Sequence, residues 1–176
     1  NYKISGGLHG VGASVVNALS VWLEVTIKKN GKIYRQRYER GKVVTPLEEV
    51  GRCKKSETGT LIQFLPDGEI FEKTYFKASM IRNRLHETAY LNPNLTIYFS
   101  NKRAGEEIDI TYHEPDGICA YVKKLNEEKQ VIHEPIYFKR QMEEIEVEAA
   151  FQYTEDFGET MLGFCNNIYT VEGGTH

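Results

Sequence analysis

Gly6, Gly7, Gly10 and Gly12 stand close together directly before Ala13 to Ser20, and no other stretch constrains the fold as strongly. In the second segment Val15, Val16, Ala18 and Leu19 cover most of a helix's circumference, which predicts a short buried helix. Backbone without Cβ atoms can approach an anion closely and turn its N–H groups inward, and a helix N-terminus adds partial positive charge. A glycine run opening a helix therefore has the local design of a phosphate cradle.

Two familiar versions of that cradle fail on spacing. Gly7 and Gly12 have the gap of a P-loop, but Ala13-Ser14 occupies the place of its Lys-Ser/Thr pair, so the lysine that reaches the β/γ-phosphates is missing. A dinucleotide fingerprint beginning at Gly10 needs glycine or alanine where Val15 stands, and a strand longer than Asn1 to Ile4 before it. A tight loop before a buried helix is the plain alternative, and the local residues leave it open.

Downstream, strand-like alternation dominates. Leu23, Val25 and Ile27 alternate with Glu24, Thr26 and Lys28, and Asn30-Gly31 predicts a tight hairpin returning over Ile33 to Arg40. A strand over Leu61 to Leu65 is closed by Pro66-Asp67-Gly68. A helix is expected over about 77–91, with Ile81, Leu85, Thr88 and Ala89 on one face and Asn92-Pro93 ending it. Leu95 to Ser100 and Ile108 to Tyr112 form a second hairpin around Ala104-Gly105. Pro115-Asp116-Gly117 is the expected boundary between two domains, with Asp116 capping a helix that carries Ile118, Val122 and Leu125. Three strands follow, over Pro135 to Arg140, Glu144 to Tyr153 and Thr160 to Ile168. The second of these predicts a buried face of Ile145, Val147, Ala149 and Phe151. The sum is an α+β fold of mostly antiparallel sheets with helices on one face.

Charge narrows the partners. Twenty-two basic against 25 acidic side chains give a net charge of -3, so any nucleic-acid contact is local. No apolar run approaches the ~18–20 residues of a membrane span. Cys53, Cys119 and Cys165 are widely spaced with no CxxC pattern, as free thiols in a reducing cytoplasm would be. The chain opens on Asn1 rather than Met and stops at Gly173-Gly174-Thr175-His176, so an internal segment of a longer protein is expected.

Tyr2 to Ser20, YKISGGLHGVGASVVNALS, resembles the ATP-lid segment of bacterial type IIA topoisomerase ATPase subunits, the gyrase/topoisomerase IV branch of the GHKL ATPase family. Thr58 to Phe71, TGTLIQFLPDGEIF, is similar to that family's Thr-Gly-Thr strand, and Asn166 to His176, NNIYTVEGGTH, resembles a strand and turn of its transducer domain. The resemblance implies the C-terminal part of a GHKL (Bergerat) ATPase sandwich over 1–115. The first part of a transducer domain, with a ribosomal-protein-like βαβ fold, would follow over 116–176. It implies that Gly7, Leu8, His9, Gly10, Val11 and Gly12 contact the triphosphate of ATP, that Tyr2 contacts the adenine, and that Thr60 fixes the adenine through a water-linked hydrogen bond.

The same resemblance places the catalytic glutamate, the magnesium-binding asparagine and the adenine-reading aspartate upstream of Asn1, and the γ-phosphate lysine downstream of His176. No catalytic residue and no metal ligand is expected within the chain, which by itself is expected to be inactive. Expected partners of the intact protein are DNA, the gyrase A subunit and a second ATPase subunit, with no membrane and a cytoplasmic location. Gyrase is favoured over topoisomerase IV; a nucleotide-binding or regulatory module without DNA work is the alternative of a different class. Lys29 departs from the arginine expected at a rim position facing coumarin-type inhibitors.

The remaining candidates have plainer readings. His9 reads as lining the phosphate pocket rather than as a general base. The adjacent pairs His86-Glu87 and His133-Glu134 point apart on a helix or strand and read as surface. The basic run Lys28, Lys29, Lys32, Arg35, Arg37 and Arg40, with Tyr34 and Tyr38, reads as a solvated sheet face before it reads as a DNA contact. His113 has no evident partner, and Trp22 reads as packing.

Overall fold

The computed structural model describes residues 11–171. They fall into two compact units, one ending at Tyr75 and one beginning at Phe76. Every strand pairing among the described residues is antiparallel, as the α+β expectation requires.

The first unit contains α1 (Gly12–Ala18), β1 (Ser20–Lys29), β2 (Lys32–Glu39), β3 (Lys42–Val43), β4 (Glu48–Arg52) and β5 (Gly59–Pro66). Its sheet runs in the order β3-β2-β1-β5, with β4 also pairing β2. The predicted Asn30-Gly31 turn joins β1 to β2, with φ of 55° and 81°. Two positive φ angles give a turn whose twist matches that of the flanking strands. The register sets Phe64, Leu23 and Tyr38 in one row across β5, β1 and β2, Ile62, Val25 and Gln36 in the next, and Thr60, Ile27 and Tyr34 in a third. Opposed residues share a face, so these rows form one largely apolar surface, of which Leu23 is buried.

The expectation of a buried first helix is corrected. α1 ends at Ala18, where Ser20 enters β1 and its Oγ donates to Val16 O at 2.6 Å. No residue of α1 is buried; Val15 and Val16 are exposed. The turn after β2 lies against Ala18, where a Cβ on Gly41 would come within 3.3 Å of the Ala18 Cα. One turn shields one flank, and the apolar residues on the other flanks stay open.

The second unit contains α2 (Ala78–Leu91), β6 (Ile97–Asn101), β7 (Ile108–Tyr112), α3 (Gly117–Leu125), β8 (Ile136–Met142), β9 (Ile145–Phe151), β10 (Gly163–Cys165) and β11 (Ile168–Thr170). The strands form three hairpins, β6-β7, β8-β9 and β10-β11. Ala89, Tyr90 and Tyr112 are its buried hydrophobics, and the Tyr90 ring of α2 stacks on Tyr121 of α3 at 4.8 Å. The sequence boundary at 115/116 therefore falls inside this unit, between two packed helices.

Three local expectations change here. Asp116 occupies the cap position of α3, but its side chain makes no capping hydrogen bond. The chain turns through Gly117 at φ 55° instead, with the Gly117 N–H donating to Glu114 O at 3.0 Å. The face of β9 expected to be buried is open: Ile145, Val147 and Phe151 are exposed, as are Met142 and Ile136, which pair with Ile145 and Phe151. The strand expected over Thr160 to Ile168 is instead the hairpin β10-β11, because Asn166 and Asn167 both take positive φ, 47° and 67°. Asparagine tolerates that conformation better than most residues. No helix among the described residues is long and apolar enough to cross a membrane.

Candidate functional site

Of the residues implicated in ATP binding, Val11, Gly12 and Thr60 lie among the described residues. Tyr2, Gly7, Leu8, His9 and Gly10 lie outside them. Val11 and Gly12 form the head of α1, where Val11 is the cap residue and no side chain caps the helix. The first N–H donors of a helix have no partner within it. The first bond of α1 is Val15 N to Val11 O at 2.9 Å. A Cβ built on Gly12 would meet no atom of the described residues within 4 Å, so among them the backbone there borders open space. Chemically, this end can donate N–H groups to an anion.

Thr60 stands on β5 opposite Ile27, in the row with Tyr34, and is exposed. Its hydroxyl is presented on a mainly apolar face, a suitable place for a polar contact to the edge of a planar ring. α1 leads into β1 at Ser20, which pairs with Pro66, whereas Thr60 belongs to the opposite end of the β1-β5 ladder. Among the described residues no group of three or more His, Cys, Asp or Glu side chains is arranged to hold a metal ion.

Five members of the basic run have acidic partners. Lys28 faces Glu57 at 3.3 Å, Lys32 faces Glu49 at 2.6 Å, and Arg35 faces Glu24 at 3.5 Å. Arg37 reaches Glu39 at 3.7 Å and covers the Trp22 ring at 4.9 Å, and Arg40 binds Asp67. The register splits the run: Lys28, Arg35 and Arg37 share a face with Glu24 and Thr26, whereas Lys29 and Lys32 pair on the side of Ile27 and Tyr34, so the run is not one solvated face. Cys53 and Cys119 are half-buried and Cys165 exposed, all as free thiols.

In the second unit, the pairs judged by adjacency find other partners. Glu87 pairs with Arg84, and Glu134 with Lys123 at 2.7 Å. His133 Nε2 accepts from the Tyr153 N–H at 3.1 Å. His86 is less of a surface residue than its sequence setting implied: its Nε2 lies 2.6 Å from Glu114 Oε1, and its ring stacks between Tyr90 and Tyr112 at 4.4 and 4.6 Å. Burial, reinforced by the Glu114 charge, pushes the Tyr90 phenol up to about 12. His113 Nδ1 lies 3.4 Å from Thr96 Oγ1. A cluster that sequence reasoning missed joins Arg84, Asn92 and Asn167. Its local signals were the Asn92-Pro93 stop after α2 and the Asn166-Asn167 dipeptide.

Over its whole length the chain is 50% identical, across 184 residues, to the DNA gyrase B protein of Thermotoga maritima. The chain is similar along its whole length to DNA gyrase B proteins. The family model for DNA gyrase B matches residues 117–176. The topoisomerase 4 B protein of Streptococcus pneumoniae is 47% identical over 99% of the chain. Among solved structures, the 43K ATPase domain of Thermus thermophilus gyrase B, in complex with an aminocoumarin, superposes with a TM-score of 0.82 at 36% identity over 92% of the chain. The ATP-binding domain of Francisella tularensis topoisomerase IV gives 0.77 at 31% identity over 94%. The chain spans 28% of the Thermotoga protein, 27% of the Streptococcus protein and 44% of the Thermus ATPase domain. Its fold is that of these ATPase domains.

Proposed function

We propose that this chain is the lid-onward part of the ATPase component of a bacterial DNA gyrase, whose parent protein binds ATP to drive DNA strand passage and negative supercoiling. The observation that carries the reading is the 50% identity to a gyrase B protein across the whole chain. Residues 1–115 belong to the ATP-binding domain and 116–176 to the transducer; the family model, which begins at Gly117, supports that division.

The uncapped head of α1 and the open space beside Gly12 fit a triphosphate. Val11 and Gly12, with Gly7, Leu8, His9 and Gly10, donate to phosphate oxygens, while Tyr2 and Thr60 contact the adenine. When bound, ATP supplies the polyanion that orders these amides, and domain movement follows from that ordering. No described residue is assigned to magnesium, and none to catalysis. Partners of the parent are the gyrase A subunit, DNA and a second ATPase subunit; its location is the cytoplasm. Topoisomerase IV is the second reading, favoured by the 47% identity to a component of that enzyme.

The test has two arms. The parent protein, combined with its A-type partner, is expected to supercoil relaxed plasmid with ATP. Decatenation without supercoiling would turn the assignment to topoisomerase IV, and neither activity would overturn it. ATP-analogue titration of this chain beside a version extended upstream is expected to show tight binding only in the extended form. Equal affinity would show that the upstream half is not required.

A further inference from the structure

Arg84 and Thr88 lie one turn apart on α2, and Asn92, the residue that caps the helix, folds its side chain back toward Thr88. The tip of the β10-β11 hairpin meets Arg84 and this cap residue. Asn92, 6% exposed, donates from Nδ2 to Thr88 O at 2.7 Å and to Asn167 Oδ1 at 3.2 Å. The Arg84 guanidinium donates to the main-chain oxygen of Asn167. Glu87 orients Arg84; burial, and then the negative charge of Glu87, raise the pKa of the Tyr121 phenol of α3. Behind the tip, Tyr121 stacks on Tyr90 and lies 6.4 Å from Phe164 of β10.

Closing a two-residue turn requires only a backbone that accepts positive φ, and glycine at Asn167 would suffice. The tip does more, since Asn167 offers both its side-chain and its main-chain oxygen to α2. If the tip left, the nearly buried Asn92 amide would lose an acceptor, which favours the held state. The polar contacts between tip and helix are few, so release stays within reach of a binding event.

We propose that Arg84 and Asn92 form a latch for the Asn167 tip, and that the transducer hairpin passes on ATP-driven movement only while the tip is held. The latch rests on the ATPase reading above and deepens it: these are positioning residues for coupling, not for hydrolysis.

The experiment uses the full-length parent with its A-type partner and compares Asn167→Gly, Asn167→Asp and Asn92→Ala, each assayed well below its melting temperature. Glycine keeps the turn but loses the acceptor; aspartate keeps both. Expected is a fall of about fivefold in supercoils introduced per ATP hydrolysed for Asn167→Gly and for Asn92→Ala, the effect of one hydrogen bond on a two-state equilibrium. Asn167→Asp should retain the parent's ratio, and the ATP KM should stay within about twofold throughout. A purely structural contact would lower melting temperatures and leave the ratio alone. An unchanged ratio in Asn167→Gly, or equal losses in the glycine and aspartate variants, overturns the latch while leaving the ATPase reading intact. A parent protein with no supercoiling activity removes the reading and the latch together.

Discussion

Arg40 Nε donates to Asp67 Oδ2 at 2.7 Å, tying the turn after β2 to the end of β5. The Asp67 side chain is 3% exposed and that of Arg40 52%, so a guanidinium reaches in from solvent to a shielded carboxylate. The other Asp67 oxygen accepts the Glu69 N–H at 2.9 Å. Main-chain bonds from Arg40 N to Ser20 O and from Asp67 N to Leu19 O, each at 3.1 Å, join both turns to the α1-β1 junction. One acidic side chain thus organises the end of the first unit from which α1 departs.

That arrangement predicts acid sensitivity. The Glu69 N–H and then the Arg40 guanidinium hold the Asp67 carboxyl below its ordinary value, against the opposing effect of burial. A carboxyl depressed in the folded state contributes stability that is present above its unfolded pKa of ~3.9 and is lost as pH falls through the folded value. The melting temperature should therefore drop below about pH 4. Asp67→Asn should melt lower than the parent near neutrality and depend less on acid. Thermal melts followed by circular dichroism across that range would contradict this if the two proteins ran in parallel.

Gly117 carries a steric prediction. It has φ 55°, and a Cβ there would stand 2.9 Å from Pro93 Cγ. Backbone strain and a clash with a stiff ring combine, so Gly117→Ala should lose about 1–3 kcal/mol of unfolding free energy. Urea denaturation reads this directly; a midpoint within error of the parent would mean that the α2-α3 junction yields freely.

Lys29 ends β1 opposite Lys32. The Thermus relative was solved with an aminocoumarin, and the expectation from the resemblance, which the next measurement tests, is that Lys29 lies at a rim facing such compounds. Arginine adds a planar fork of donors that lysine lacks. In the upstream-extended protein, Lys29→Arg should tighten aminocoumarin binding about tenfold, roughly one hydrogen bond to a charged group. Calorimetric titration giving equal affinities would remove Lys29 from the contact.

β5 pairs β1 and, among the described residues, ends the sheet order. Leu61, Ile62, Phe64 and Leu65 on it are 54%, 50%, 38% and 47% exposed. An edge strand of that composition invites pairing with another chain. Expressed alone, the chain should elute above its monomer mass, and Ile62→Lys should shift it toward the monomer. A sharp monomer peak with cooperative melting for the unaltered chain would be the contrary result.

Residue types and spacing alone determined the local elements of this protein. Asn30-Gly31 imposes its turn because both positions accept positive φ, and the helix of residues 78–91 ends where Asn92-Pro93 denies it another turn. The glycine-rich string, the Thr58 to Phe71 segment and the final residues carried the resemblance, since motif order is a property of the chain itself. Tertiary structure decided what depends on neighbours distant in sequence. It left α1 and the apolar face of β9 open, because what would cover them is not encoded in their own periodicity. It also brought Glu114 to His86, Asp67 to Arg40 and Asn167 to Arg84 and Asn92. No local pattern could predict those pairs, because each is made by chain segments that meet only once the fold has formed.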